Sequence, residues 1–549
     1  MYLMTKKPYK QLGMNNKQLN SRLEESDGNI KLWGFDAHPV VTPVSVVLIA
    51  IFIAFTLLFQ EQAETIFNNV KDGITNTTDW FFILVANIYL GVIVFLGFGK
   101  FGNIRLGGAD AKPEFSTFAW FAMLFSAGMG IGLLFYSVAE PIYHFQSPSP
   151  FWPNLEPETV AAAKAAMGVT FFHWGLHPWG IYALVGLSLA FATFNQGLPL
   201  SMRSVFYPLL GKRIYGWPGN LIDILALLAT LFGLATSLGF GAQQINSGLN
   251  FLFGLPNATW LQVLLIAIIT SFATLSVVSG LDRGVRFLSE INIYIAACLM
   301  GFLFLVGPTL FFFSSFVDNV GYYISILPAM SFWVEIFEET DWQDNWTIVY
   351  WSWWIAWSPF VGIFIARVSK GRTVREFVMG VLFIPSLLCF FWMTVFGGSA
   401  LKLTLDGVGN IPEAVQENVA TALFVMLQEL PFSLLSAFVG IVLVITFFVT
   451  SSDSGSLVVD SLASGGKLDS PVIQRVFWAI AEGVVAAVLL LGGGVTALQT
   501  AVIATGLPFA IVLLVMCFSL YRSLAGELTM LEAAKLEAKE ISHRDTEVR

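Results

Sequence analysis

Charge is what this chain has least of. Of its 549 residues only 12% are Asp, Glu, Lys or Arg, while 56% are hydrophobic and the mean hydropathy is +0.73. Soluble globular proteins carry roughly 25% charged residues, so the balance excludes a water-soluble enzyme of ordinary composition. It also excludes a disordered, collagen-like or coiled-coil chain. Cysteine is nearly missing as well: Cys298, Cys389 and Cys517 all lie inside apolar runs, which excludes a disulfide framework. The first 38 residues hold no apolar stretch, so no secretory leader is read there. What the chain has instead is a series of apolar runs near 20 residues, the length that crosses a bilayer.

Twelve such runs are read, at about 42–59, 80–98, 117–138, 168–192, 221–240, 260–279, 290–313, 346–366, 377–399, 432–451, 472–493 and 499–521. They are too long for membrane β-strands and do not alternate, so the chain is read as an all-α polytopic membrane protein with twelve transmembrane helices. Residues 1–41 and 522–549 are then tails. Basic residues set the orientation. With the N-terminus inside, 25 of the 28 Lys and Arg fall in inner segments, and only Lys71, Lys164 and Lys402 fall outside. One missed or invented span would invert every later loop and destroy that asymmetry. Both termini are therefore expected in the cytoplasm, with the protein in the inner (plasma) membrane. The outer connection 314–345 carries Glu335, Glu338, Glu339, Asp341 and Asp344 without Lys or Arg. Its Tyr322, Tyr323, Phe332 and Trp333 suggest a helix lying along the outer interface.

Irregular backbone at membrane depth lines cavities, because a spanning helix must satisfy its own backbone. The third span centres on Gly128-Met129-Gly130-Ile131-Gly132, and the eighth contains Ser358-Pro359. Both sequences weaken a helix. The two spans are five apart and would open two blocks of five helices, 117–313 and 346–521, joined by 314–345. Interrupted helices at matching places in two halves point to a transporter's binding site. The alternative is that the glycines only permit close helix packing.

The seventeen tryptophans are not all interfacial anchors. In the fourth span Trp174, Trp179 and Tyr182 share an arc of roughly 140°, and in the eighth Trp353 and Trp354 each lie within a turn of Trp357. Indole faces bind quaternary ammonium groups without a carboxylate. No Asp or Glu stands in the central turns of spans three, four or eight, which favours a zwitterion that brings its own anion. That anion would sit on the free N–H groups of the glycine break. His173 and His177 have the spacing of a zinc pair, but lack a third ligand, so packing or hydrogen bonding is expected of them. The tenth span ends in Phe447-Phe448-Val449-Thr450-Ser451. Its hydroxyls either bond back to their own helix or face the unwound third span and hold a small hard cation with backbone carbonyls.

These residues together resemble the betaine/choline/carnitine transporter family. Gly128 to Gly132 followed by Ala139-Glu140-Pro141 is similar to that family's third helix, and Trp353-Trp354-Ile355-Ala356-Trp357-Ser358-Pro359-Phe360 running on to Gly371-Arg372-Thr373 is similar to its signature. Ser279-Gly280-Leu281-Asp282-Arg283-Gly284 also fits, and the likeness covers roughly residues 40–520. The resemblance implies five-plus-five inverted repeats (helices 3–12) preceded by two extra helices, alternating access, and a homotrimer. It implies uptake of an onium solute, glycine betaine first, with choline, carnitine, ectoine or dimethylsulfoniopropionate as alternatives. Substrate contacts carried over are Trp174, Trp179, Tyr182 and Trp354, with Trp353 flanking, Trp357 on the inner path, and Gly128, Met129, Gly130 and Gly132 at the break. In sodium-coupled members the ion site would be the Ser126, Met129 and Phe447 carbonyls with the Thr450 and Ser451 hydroxyls. A second site would use Thr230 and Phe360, but Leu234 stands where a hydroxyl is expected. The fifth span has no Lys or Arg, which favours sodium-driven uptake over exchange; proton coupling remains the alternative.

Two other classes fit less well. A channel would need a ring of charge or carbonyls along its pore, and a membrane enzyme would need a nucleophile–base pair or metal cluster; Asp453-Ser454-Gly455 is not a nucleophile elbow. No organic cofactor and no nucleic-acid partner is expected; the partners read are the solute, the ion and the lipid bilayer.

Overall fold

The computed structural model describes residues 28–547 apart from Met129, residues 279–281, Glu339 and Leu468, and nearly all of it is helix. Among the described residues the only sheet is an antiparallel hairpin of β1 (Ile30–Leu32) and β2 (Phe35–Ala37). Asp36 of this hairpin pairs with Lys467 at 3.0 Å, and its backbone N–H donates to the Gln474 side chain. The end of the segment read as a polar tail is therefore docked on the loop between the last two long helices.

Those helices are α1 (Val41–Leu58), α2 (Gln60–Phe98), α3 (Thr117–Gly128), α4 (Ile131–Gln146), α5 (Val160–Trp174), α6 (Leu176–Phe194), α7 (Trp217–Phe253), α8 (Thr259–Val278), α9 (Asp282–Val306), α10 (Thr309–Met330), α11 (Thr347–Val368), α12 (Val374–Leu405), α13 (Ser433–Ala463) and α14 (Val472–Glu547). Among the described residues ten helical stretches are long and apolar enough to cross a membrane, which makes this a multi-pass membrane protein. Burial sorts them into layers. Over an apolar stretch of 18 residues in each, 94% of the α5–α6 residues and 83% of those in 342–368 are buried, against 28% in α1 and 22% in α10. The first pair forms the centre of the bundle, and the second presents its apolar side chains outward, as lipid contact requires.

Local chemistry fixes where helices begin and turn. Thr373 and Glu376 form a reciprocal capping box at the start of α12. Beside it, Arg372 donates to the Thr117 hydroxyl and the Phe115 carbonyl and lies 4.7 Å over the Trp120 ring, anchoring the start of α3. Asp223 accepts both the backbone N–H and the Nε–H of Arg203, a buried ion pair that ties the 3-10 segment Met202–Phe206 to α7. Within α14 the backbone bends at Gly493 and Gly494, the latter at φ 57°, ψ −129°, a conformation glycine reaches without a Cβ clash. That bend falls in the glycine run that separates the last two spans in the sequence.

The third span is interrupted as expected: α3 ends at Gly128, Gly130 is extended, and α4 starts at Ile131. The eighth is not. Helix α11 runs unbroken through Pro359, because the Ser358 hydroxyl donates at 2.8 Å to the Ile355 carbonyl that proline's missing N–H leaves unpaired. The second break lies instead in the fourth span, at Gly175 between α5 and α6. The seventh run, 290–313, also joins two elements, since α9 stops at Val306 and α10 starts at Thr309 after Gly307-Pro308. Residues 60–79, read as a loop, are the first half of α2.

Candidate functional site

The break at Gly130 faces α11, and the break at Gly175 faces α10 and α12. Gly132, in the first turn of α4, packs directly on an indole: a Cβ there would stand 2.6 Å from Cη2 of Trp353. A Cβ on Gly233 of α7 would meet Trp357 at 2.8 Å, and one on Gly130 would meet the same ring at 3.8 Å. The glycines thus do both things considered for them, opening the helix and admitting a ring. At Gly175 a Cβ would strike the Phe171 carbonyl, the Phe390 ring and the Tyr323 hydroxyl, all within 2.9 Å. The N–H of Leu176, freed by that break, donates to Tyr323 Oη at 3.2 Å.

The aromatic side chains meet in the centre of the bundle. Trp354 lies edge-on to Trp174 with centroids 5.0 Å apart, Tyr182 is 6.3 Å from Trp354, and Trp179 is 5.4 Å from Tyr182. Trp353 stacks on Trp354 at 5.1 Å with an interplanar angle of 8°. Trp174, Trp179, Tyr182, Trp353 and Trp354 are all buried. Trp357 stands apart from them, half-buried, 5.3 Å from Phe360. Met129 lies outside the described residues, and Gly128 marks the end of α3.

One carboxylate organises this box, and the sequence reading passed over it. Glu140 of α4 is fully buried; it accepts from His173 Nδ1 at 2.6 Å, from the Trp174 indole N–H at 2.8 Å and from the Tyr350 hydroxyl at 2.5 Å. A group that accepts from three donors is the charged, acceptor-only form of the acid. His173 Nε2 in turn meets the Thr347 hydroxyl at 3.0 Å, while the Trp354 indole N–H donates to the His173 carbonyl at 3.1 Å. Glu140 therefore holds Trp174 by its edge, and holds Trp354 indirectly through His173, without covering the face of either ring. Together with His144, 3.6 Å away, and His173 it offers ligand atoms within 4.8 Å of one another, a spacing a metal ion could use. Its oxygens already hold three protein donors, so the cluster is a hydrogen-bonded support. His177 is separate, bonded to Asn87 at 3.1 Å and stacked on Trp351; the histidine pair is not a joint metal site.

A cavity of about 320 Å³ approaches this box from one side and ends on Trp353 and Tyr350. Its walls include Tyr136 and Tyr143 of α4, Phe240 of α7, Tyr350 and Trp353 of α11, and the segment 416–420. Trp353 and Tyr350 separate it from Trp354 by a single ring, with Tyr350 5.7 Å from Trp354.

At the other candidate site, the Thr450 hydroxyl lies 2.9 Å from the Thr446 carbonyl and 3.2 Å from that of Phe447. It also accepts from Asn292 Nδ2 at 2.8 Å. Asn292, on α9, was not among the expected residues; an Asn inside an apolar span was the available signal. Ser126 sits in the last turn of α3, whose final carbonyls have no partner within the helix. Thr230 bonds back to Ala226 at 2.7 Å, and Leu234 fills the position where a Cβ of Gly455 would fall, 2.5 Å away. Thr230 thus stands one helical turn before an apolar plug.

A multi-pass helical bundle with a broken helix and an aromatic box at its buried centre, approached by a cavity, defines a membrane transporter of small solutes. The chain matches the model of the betaine/carnitine/choline transporter family over residues 40–529 and belongs to that family. It is 48% identical to a glycine betaine/proline/choline transporter of Vibrio parahaemolyticus, over 90% of this chain and 91% of the relative. A glycine betaine/proline/choline/ectoine transporter of the same organism is 49% identical, over 91% of this chain and 90% of its own length. The glycine betaine transporter OpuD of Bacillus subtilis is 44% identical, over 88% of this chain and 94% of its own length.

Proposed function

We propose that this protein imports glycine betaine, or a closely related compatible solute, by sodium-driven alternating access. The observation that carries the reading is the box of Trp174, Trp179, Tyr182 and Trp354, whose supporting carboxylate, Glu140, is spent on the Trp174 indole N–H, His173 and Tyr350. Bare π faces suit a methylated ammonium group. Donation from the Trp174 N–H to Glu140 polarises that ring toward a more negative face. The solute's own carboxylate would be met by the unpaired N–H groups in the first turn of α4, beside the positive helix end. The names of the relatives point to the same solutes and leave proline, choline and ectoine as competing cargoes.

In this reading helices 3–12 of the twelve-span count form two five-helix repeats, 117–313 and 346–521, linked by 314–345, with two extra helices before them. On the strength of the basic-residue asymmetry both termini lie in the cytoplasm, with the protein in the inner membrane; the homotrimer is carried over from the family resemblance. The described cavity then opens outward. One sodium ion is assigned to the Ser126, Met129 and Phe447 carbonyls with Thr450 and Ser451; the plug at Leu234 speaks against a second at Thr230 and Phe360. The test is uptake of labelled glycine betaine into proteoliposomes with an inward sodium gradient against a potassium control. Sodium-dependent accumulation is expected, together with its loss in T450A/S451A. A double variant that keeps full sodium stimulation removes the ion site; no uptake with any of the named onium solutes removes the function.

A further inference from the structure

One buried acid has no part in the site above. Glu482, at the middle of the first span of α14, is fully buried, and neither of its oxygens has a hydrogen-bond partner. Its polar neighbours are Ser452 and Asp453 of α13. Asp453 is provided for, with the Ser276 hydroxyl at 3.0 Å and the Arg475 charge nearby; Glu482 has no cation of its own. Helix α8, packed on both, brings hydroxyls and no charge, and α7 brings only Asp223, which is taken by Arg203. Helix α1 is uncharged, and α2 places Glu64 at Gly493, toward the opposite end of the span. An unpaired carboxylate in that setting is the costliest state of the group, and a single proton removes the cost.

Below Glu482 a buried polar stripe descends between α13 and α14 toward the loop that holds the N-terminal hairpin. On α13 it runs through Asp453 and Asp460, two turns apart, and on α14 through Trp478 and Arg475. Asp460 accepts from the Ser470 hydroxyl, and Asp36 of the hairpin adds a like charge near it. Oδ1 of Asp460, Nε of Arg475, Nε1 of Trp478 and Oγ of Ser452 are all buried without a protein partner. Polar atoms so placed are what water needs to bridge a path through a helix interface. On the neighbouring face of α14, a Cβ at Gly483 would stand 2.4 Å from Thr270 Oγ1 of α8, so those two helices approach closely beside Glu482.

We propose that Glu482 is a proton-binding site, loaded and unloaded from the cytoplasmic side along the α13–α14 stripe during the transport cycle. The transport part rests on the function proposed above; the binding part does not. The full-length protein is treated with dicyclohexylcarbodiimide, an apolar reagent for protonated buried carboxyls, and modification of Glu482 is read by peptide mass spectrometry from pH 6 to 9. Modification is expected, with a yield falling by about tenfold per unit once pH passes the group's pKa. No adduct at Glu482, or a yield indifferent to pH, overturns the proposal. In proteoliposomes E482Q is expected to lose the dependence of uptake on internal pH; a profile superimposable on the native one also overturns it. Labelling needs no transported solute, so it decides the matter even if glycine betaine uptake fails or E482Q does not fold.

Discussion

Replacing Glu140 separates a packing role from an electronic one. In E140L three buried donors, on His173, Trp174 and Tyr350, lose their acceptor together. Each orphaned donor costs about 1–3 kcal/mol, so the summed penalty is about 3–9 kcal/mol before relaxation. Against a total stability of about 5–15 kcal/mol that is enough to loosen the box or unfold the chain. E140Q is milder for a specific reason. Its amide oxygen can keep Trp174 and Tyr350, while its NH₂ faces His173, which can move its proton to Nε2 and donate to Thr347. What remains is the loss of charge from two bonds, about 1–1.5 kcal/mol each and about 2–3 kcal/mol together, or a rise in Kd of up to about a hundredfold. Quenching of tryptophan fluorescence by glycine betaine gives Kd, and thermal unfolding in detergent gives stability. The expected order of affinity is native, then E140Q, then E140L. An E140L protein that binds within twofold of native would refute the idea that Glu140 sets the box.

Gly132→Ala places a methyl 2.6 Å from Trp353; overpacking of this kind costs about 1–3 kcal/mol, and KM for uptake should rise while Gly398→Ala, with nothing closer than 3.6 Å, leaves it unchanged. In the loop between α10 and α11, burial pushes the Glu335 carboxyl up to about 7, against the backbone N–H groups of Gln343 and Trp342 that favour its charged form. The folded loop then holds the proton more tightly than the unfolded chain. Its contribution is complete below the ordinary value of 4.5 and is lost as pH climbs through about 7. Amide exchange at Gln343, corrected for intrinsic rate, should quicken between pH 6 and 8 in the native protein and stay level in E335Q.

What could be read from the chain alone follows a physical division. The break at Gly130 was legible because three glycines in five residues weaken a helix whatever surrounds them. The break at Gly175 was not, since one glycine between Trp174 and Leu176 is ordinary, and its cause lies far away in Tyr323 and Phe390. Pro359 misled in the other direction, because a hydroxyl one residue earlier repairs the backbone that proline opens. The tryptophan and tyrosine pattern picked out rings that the fold brings together, helical periodicity being local. Glu140 escaped because it stands just past the apolar run of its span, and only the folded chain brings it under Trp174 from 34 residues away.

The discontinuity at Gly175 has a mechanical meaning. It splits the box between two rigid rods: Trp174 rides on α5, while Trp179 and Tyr182 ride on α6. A solute gripped by all three rings becomes a strut across the joint and fixes the angle between the rods. Occupancy and joint angle are then a single coordinate, so a spectroscopic ruler spanning α5 and α6 would register cargo without touching it.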